Sequence, residues 1–127
     1  MGDYETTRAM AELYERTRPQ VRQLYQQIEA VAQRRPDRPL SPYLFGVAEE
    51  LTRATLRITS RLRKARKLTP LSAGTTWLDL GAFLTQADKL LDQFWEAHTL
   101  YYPRGERHYW NIGGMSNARR GMRAERW

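Results

Sequence analysis

The chain has 127 residues, 41% of them hydrophobic and 11% aromatic, with a net charge of +7 and a pI near 10.1. That length allows one ordinary domain with one modest core, and the aromatic content is too high for a disordered chain. The charge favours a partner with phosphates or an anionic surface, and the absence of cysteine excludes disulfides, thiol catalysis and cysteine-held zinc.

Lys64, Lys67 and Lys89 are the only lysines among 21 cationic residues. The rest are arginines, which fork onto phosphates and stack on bases better than lysine does. A GC-rich genome would produce the same bias. The opening MGDYETTRAM is polar and acidic where a secretory leader needs a cationic start and an apolar core. No apolar run approaches a membrane span. The expectation is a cytoplasmic protein of bacterial or phage origin.

The pattern is helical almost throughout, with no strand alternation and no hairpin dipeptide. Three breaks, RRPDRPLSP, KLTPLSAG and YYPRGE, imply four helices. The first runs from about Asp3 to Arg34, with an apolar stripe of Met10, Leu13, Val21, Leu24, Ile28 and Val31. Pro19 cannot donate to the carbonyl four residues back, so a kink or a fresh start is expected near Thr17. Residues 1–17 would then form an N-terminal arm.

The second helix opens with Ser41 as N-cap and Pro42 in the first turn. Leu44, Val47, Leu51, Ile58, Leu62 and Ala65 make its inner face. The third spans about Thr75 to Leu100. Trp77, Leu80, Leu84, Ala87, Leu91, Phe94, His98 and Tyr101 keep a 3,4 heptad spacing, widened by Leu78, Leu90 and Trp95. A widened stripe touches more than one neighbour, as in a bundle.

The fourth segment begins at GERHYW, with Tyr109, Ile112, Met115 and Met122 on one face. Gly113 and Gly114 together cost a helix about 2 kcal/mol relative to alanine. Residues 116–127 form a basic tail, expected to be mobile or ordered only on a partner. The predicted fold is therefore all-α, a single up-and-down four-helix-bundle domain over 1–127, with no internal repeat.

Catalytic patterns are missing from the sequence. His98 lies on the heptad face, where histidine serves as a core residue, and His108 lies in a turn beside Arg107. No Glu-x-x-His pair, P-loop or nucleophile elbow occurs. Asp79, Asp88 and Asp92 read as solvated partners of Lys89 and its neighbours. No enzyme activity, cofactor or metal is expected.

The stretch RATLRITSRLRKARK, residues 53–67, places seven cations in fifteen positions without an acid. On a helix Arg53, Arg57, Arg61 and Lys64 form one stripe, and Arg63, Arg66 and Lys67 extend it at the C-terminal end. Like charges one turn apart destabilise an isolated helix by about 0.2–0.5 kcal/mol per pair. A merely soluble face interleaves Glu, as the first helix does with Glu12, Glu15 and Glu29. The stripe therefore reads as a polyanion surface, unless Asp79, Asp88 or Glu96 from a neighbouring helix neutralises it. Arg34, Arg35 and Arg38 in the first loop form a second basic focus. The tail adds Arg119, Arg120, Arg123 and Arg126, beside Tyr101, Tyr102, Tyr109, Trp110 and Trp127. Aromatics next to arginines stack on unpaired bases, although Tyr101, Tyr109 and Trp110 would equally pack the bundle end. No helix-turn-helix, homeodomain or zinc-finger spacing is present, so affinity would come from RNA or DNA phosphates and fall with salt.

The order of these features resembles a known family. A Pro-marked basic loop, AQRRPDRPLSPYLF, is followed by a long helix ending in LRKARK. A Leu-rich helix then runs into an aromatic turn, FWEAHTLYYP, and Ile112, Gly113 and Met115 loosely match an Ile-Gly-x-Met element. In this the chain is similar to the accessory variability determinant proteins of diversity-generating retroelements and their four-helix-bundle relatives encoded by intervening sequences in 23S rRNA genes. The resemblance implies a homo-oligomer, a ring of five in the retroelement case, that binds a reverse transcriptase and its template RNA without catalysis. Only the basic surface is carried over: Arg53, Arg57, Arg61, Arg63, Lys64, Arg66 and Lys67. Two other readings stand beside it. One is a small subunit of an RNA-guided effector complex. The other is an adaptor for an acidic protein, anchored by Trp95, Tyr102 and Trp110.

Overall fold

The computed structural model describes residues 5–60, 68, 71–72, 74–113 and 122–126. Among these, the chain is mostly helical, with α1 (Arg8–Arg34), α2 (Pro42–Thr59) and α3 (Trp77–His98) followed by the antiparallel strands β1 (Thr99–Tyr102) and β2 (Arg107–Trp110).

The side chain of Thr7 caps α1, accepting from the Met10 amide at 3.2 Å. The helix then runs through Pro19 without a break. The fresh start expected near Thr17 does not occur, and from Arg8 onward the expected arm is part of α1. Packing supplies the reason: Ala11, Tyr14 and Thr17 are buried, which holds the first turns against the rest of the core.

Ser41 caps α2 as its position predicts, accepting from the Leu44 amide at 3.2 Å, with Pro42 in the first turn. Its buried face includes Leu51 and Ile58 together with Ala48, Thr52, Thr55 and Thr59. The Thr52 and Thr59 hydroxyls donate to the carbonyls of Ala48 and Thr55, both at 2.7 Å, so these two enter the core already hydrogen-bonded, whereas the buried Thr55 hydroxyl has no such partner among the described residues. The basic extension expected after Thr59 falls mainly on residues 61–67, outside the described residues, as do Leu62 and Ala65 of the expected inner face.

At the start of α3, Thr76 and Asp79 form a reciprocal capping box, each side chain accepting from the other's amide at 3.2 Å. Leu80, Leu84, Ala87, Leu91 and Phe94 of the heptad face are buried, as are Leu90 and Trp95 beside it. Leu78 is exposed, and Tyr101 lies beyond the helix end. The α1–α2 loop is tied to this cap, the Trp77 amide donating to the Arg38 carbonyl at 3.0 Å.

The expected four-helix bundle needs correction at its last member. Where a fourth helix was expected from GERHYW, the chain forms a hairpin that pairs Thr99 with Trp110, Leu100 with Tyr109, Tyr101 with His108 and Tyr102 with Arg107. The heptad spacing continues past His98 but the residues do not. Pro103 disfavours helical backbone at Tyr102, and Thr-Leu-Tyr-Tyr and Arg-His-Tyr-Trp are rich in side chains that suit a pleated surface. Glu106 closes the turn with a φ of 48°.

Residues 122–126 of the expected mobile tail are paired. The Trp110 amide donates to the Met122 carbonyl at 2.8 Å, and the Ala124 amide to the His108 carbonyl at 2.9 Å, so this segment lies along the outer edge of β2. Past the end of β2 the Thr6 amide donates to the Asn111 carbonyl at 2.8 Å. The rest of the tail, 116–121 and 127, lies outside the described residues.

Candidate nucleic-acid interface

Arg53 and Arg57 lie one turn apart on α2 and both are exposed. Ile58 beside Arg57 is buried, which turns the arginine edge outward. Neither arginine is in an ion pair among the described residues. The acids on α3 that could have neutralised them face elsewhere. Asp79 is in the capping box, Asp88 meets Arg18 and Arg22 at 3.0 and 3.3 Å, and Glu96 meets Arg126 at 2.8 Å. Arg61, Arg63, Lys64, Arg66, Lys67, Arg119 and Arg120 lie outside the described residues. Arg123 is separate from the α2 stripe: it sits opposite Tyr109 on the hairpin and pairs with Glu125 at 3.1 Å.

Arg57 also reaches a cavity of about 710 Å³ between the N-terminus of α1 and the C-terminus of α3, where Arg8, Phe94, His98 and Gly113 are further walls. His98 packs on Phe94, the ring centroids 4.5 Å apart. His108 lies in β2 between the rings of Trp95 and Tyr101, at 4.5 and 4.9 Å. Burial lowers its pKa, and the nearby Arg126 charge lowers it further.

Sequence reasoning missed a buried ionic network. Arg18 is 2% exposed, yet its guanidinium donates to Asp88 at 3.0 Å, to Asp92 at 3.1 Å and to the Tyr14 hydroxyl at 2.7 Å. Arg126 closes the network from the chain's other end, donating to both Asp92 oxygens at 3.1 and 2.9 Å and lying 4.9 Å from the Trp95 ring centre. Burial alone would raise the Asp92 pKa. Hydrogen bonds from Arg126 and Arg18 outweigh it and hold the carboxyl below its ordinary value. Burial pushes the Tyr14 phenol up to about 12, against the pull of Arg18. Asp88 and Asp92 are thus partners of a buried arginine, where solvated partners of Lys89 were expected. The signal was present: Tyr14, Arg18 and Val21 keep the 4,3 spacing of the stripe, and two aspartates lie one turn apart on α3.

Trp95 and Trp110, the anchors of the adaptor reading, are 3% and 1% exposed and belong to the core. Trp110 packs edge-on against Tyr14 at 5.0 Å and donates its indole N–H to Glu15 at 2.9 Å. Among the described residues no group of three His, Asp or Glu side chains is placed to hold a metal, and no helix is long and apolar enough to cross a membrane. Comparison of the chain with protein-family models, curated proteins and solved structures finds no match in any of the three.

Proposed function

We propose that this protein is a non-catalytic nucleic-acid-binding accessory protein whose α2 face engages the phosphate backbone. One observation carries the reading. Arg53 and Arg57 are exposed on one helix edge without an ion pair among the described residues, while Asp88, Asp92 and Glu96 of α3 are engaged by Arg18, Arg22 and Arg126 and Asp79 by its capping box. Exposed guanidinium groups outside an ion pair bind phosphate oxygens bidentately and release condensed cations. Five further cations from Arg61 to Lys67 extend the same stretch in sequence. The machine served is a reverse transcriptase of the retroelement type, with several copies of the chain multiplying a modest contact through effective concentration. The phosphate contact does not require a fourth helix, because it rests on α2.

The test is a salt series with duplex DNA and the Arg53→Ser/Arg57→Ser variant. Loss of two phosphate contacts makes the log–log slope shallower by about 1.8. An unchanged slope in a folded double variant removes the α2 face from the interface.

A further inference from the structure

The hairpin carries a second surface with different chemistry. Cross-strand partners in an antiparallel ladder project from the same face. The pairs Leu100–Tyr109 and Tyr102–Arg107 therefore share one face, and Thr99–Trp110 and Tyr101–His108 share the other. The second face is turned to the core at Thr99 and Trp110, which are buried, and at His108, which packs on Trp95, while Tyr101 at its rim is 51% exposed. The first face is turned away from it. Leu100, Tyr102 and Tyr109 on it are only partly covered, and Arg107 is exposed. Arg123, bridged to Tyr109 from the tail segment, adds one more exposed arginine at the edge of this face, in an exposed ion pair with Glu125 at 3.1 Å that a phosphate would have to displace.

Tyr102 and Tyr109 are diagonal neighbours with ring centroids 5.5 Å apart and planes at 83°. Each tyrosine has an arginine as its direct cross-strand neighbour, Arg107 beside Tyr102 and Arg123 beside Tyr109. A pair of rings on a small rigid sheet, each flanked by a guanidinium, offers stacking surface for bases and charge for the phosphates between them. A duplex hides its bases in the stack and cannot use such rings.

From this arrangement we infer that the outer face of the hairpin, Tyr102 and Tyr109 with Arg107 and Arg123, binds an unpaired segment of RNA. The inference rests on the reading of the chain as a nucleic-acid-binding protein and divides the labour within it. The α2 arginines hold the backbone phosphates of a duplex, and the hairpin takes the splayed bases of an unpaired strand.

The experiment uses the full chain with a twelve-nucleotide oligouridine and, separately, a duplex. Tyr102→Leu and Tyr109→Leu keep apolar volume but remove the ring. Each is expected to weaken oligouridine binding at least about fivefold, the lower bound for one stacked base, while duplex affinity stays unchanged. Tyr102→Phe is expected to retain binding, because phenylalanine still stacks. If a leucine variant fails to fold, Arg107→Ser, at an exposed position, still tests the surface, with weaker oligouridine binding expected. On the unaltered protein, photocrosslinking of bromouridine-substituted oligomer is expected to mark Tyr102 or Tyr109. Adducts confined to other elements, or leucine variants that bind the oligomer normally, would overturn the inference. Tighter binding of the matching deoxy-oligomer would overturn the choice of RNA. Loss of duplex binding in the Arg53→Ser/Arg57→Ser variant with oligouridine binding intact would separate the two surfaces. Absence of binding to either probe would instead remove the parent reading.

Discussion

Arg18 occupies a position in the α1 stripe that Leu would fill in an ordinary bundle. Its charge is tolerated because Asp88, Asp92 and Tyr14 meet the guanidinium from two sides. Removing one partner of a buried pair costs more than the pair contributes, since the other is left desolvated. Arg18→Met leaves Asp88 with Arg22 and Asp92 with Arg126, so it is expected to lower unfolding free energy by about 1.5–3 kcal/mol, the range for hydrogen bonds to charged groups, read from urea denaturation. Arg18→Lys is expected to recover only part of it, because an ammonium cannot match the planar fork. The same network sets a pH dependence. The Asp92 pKa is depressed in the folded protein, so its stabilisation is present above the unfolded carboxylate value, about 4, and is lost as pH falls through the folded one. The His108 pKa is also depressed. Its contribution is complete above the unfolded value of about 6.5 and declines below it, because the unfolded chain takes up the proton first. Urea midpoints measured from pH 8 to pH 3 are expected to fall in two steps. His108→Gln is expected to diminish the upper step and Asp92→Asn the lower. The sequence displayed all of these residues. What it lacked was the pairing of α1 with α3, which alone distinguishes a core arginine from a surface one.

Among the elements, the helices were legible and the hairpin was not. Ser41–Pro42 starts α2 and Thr76 with Asp79 starts α3, both local chemistry readable from a few residues. The heptad spacing of α3 correctly named Leu80, Leu84, Ala87, Leu91 and Phe94 as buried. It also carried the expected helix past His98, because Tyr101 falls on the same register by coincidence of spacing. The turn between the strands has no Asn-Gly or Asp-Gly dipeptide, and its positive φ falls on Glu106. The hairpin is fixed chiefly by tertiary contact, with Trp110 sealed against Tyr14 and Phe94 and hydrogen-bonded to Glu15. Trp110→Ala is therefore expected to cost about 3–5 kcal/mol, with loss of near-ultraviolet circular dichroism. Thr76→Ala, which removes one half of the capping box, is expected to cost only about 1 kcal/mol in thermal or urea unfolding.

For the molecule as a whole, charge is partitioned. Several acids are paired within α1, α3 and the C-terminal segment, so the excess of +7 is expressed in part on the α2 edge. That excess was visible in the composition, and the Arg53–Arg57 spacing located part of it. The sequence could not show that the neighbouring acids face the other way. The retroelement reading makes a further demand at this scale. Sedimentation of the purified chain is expected to give a particle about five times the protomer's 15.0 kDa, with monomer at micromolar concentration counting against a ring.

The two flanks of the hairpin are unequal. β2 has residues 122–124 along its outer side, whereas β1 has no partner on its outer side among the described residues. Thr-Leu-Tyr-Tyr has no charged side chain to discourage another strand from adding there. Only its four-residue length and the proline that follows restrain such addition. Growth of the sheet by a strand from outside the chain has one open side, and a lysine in place of Leu100 would close it.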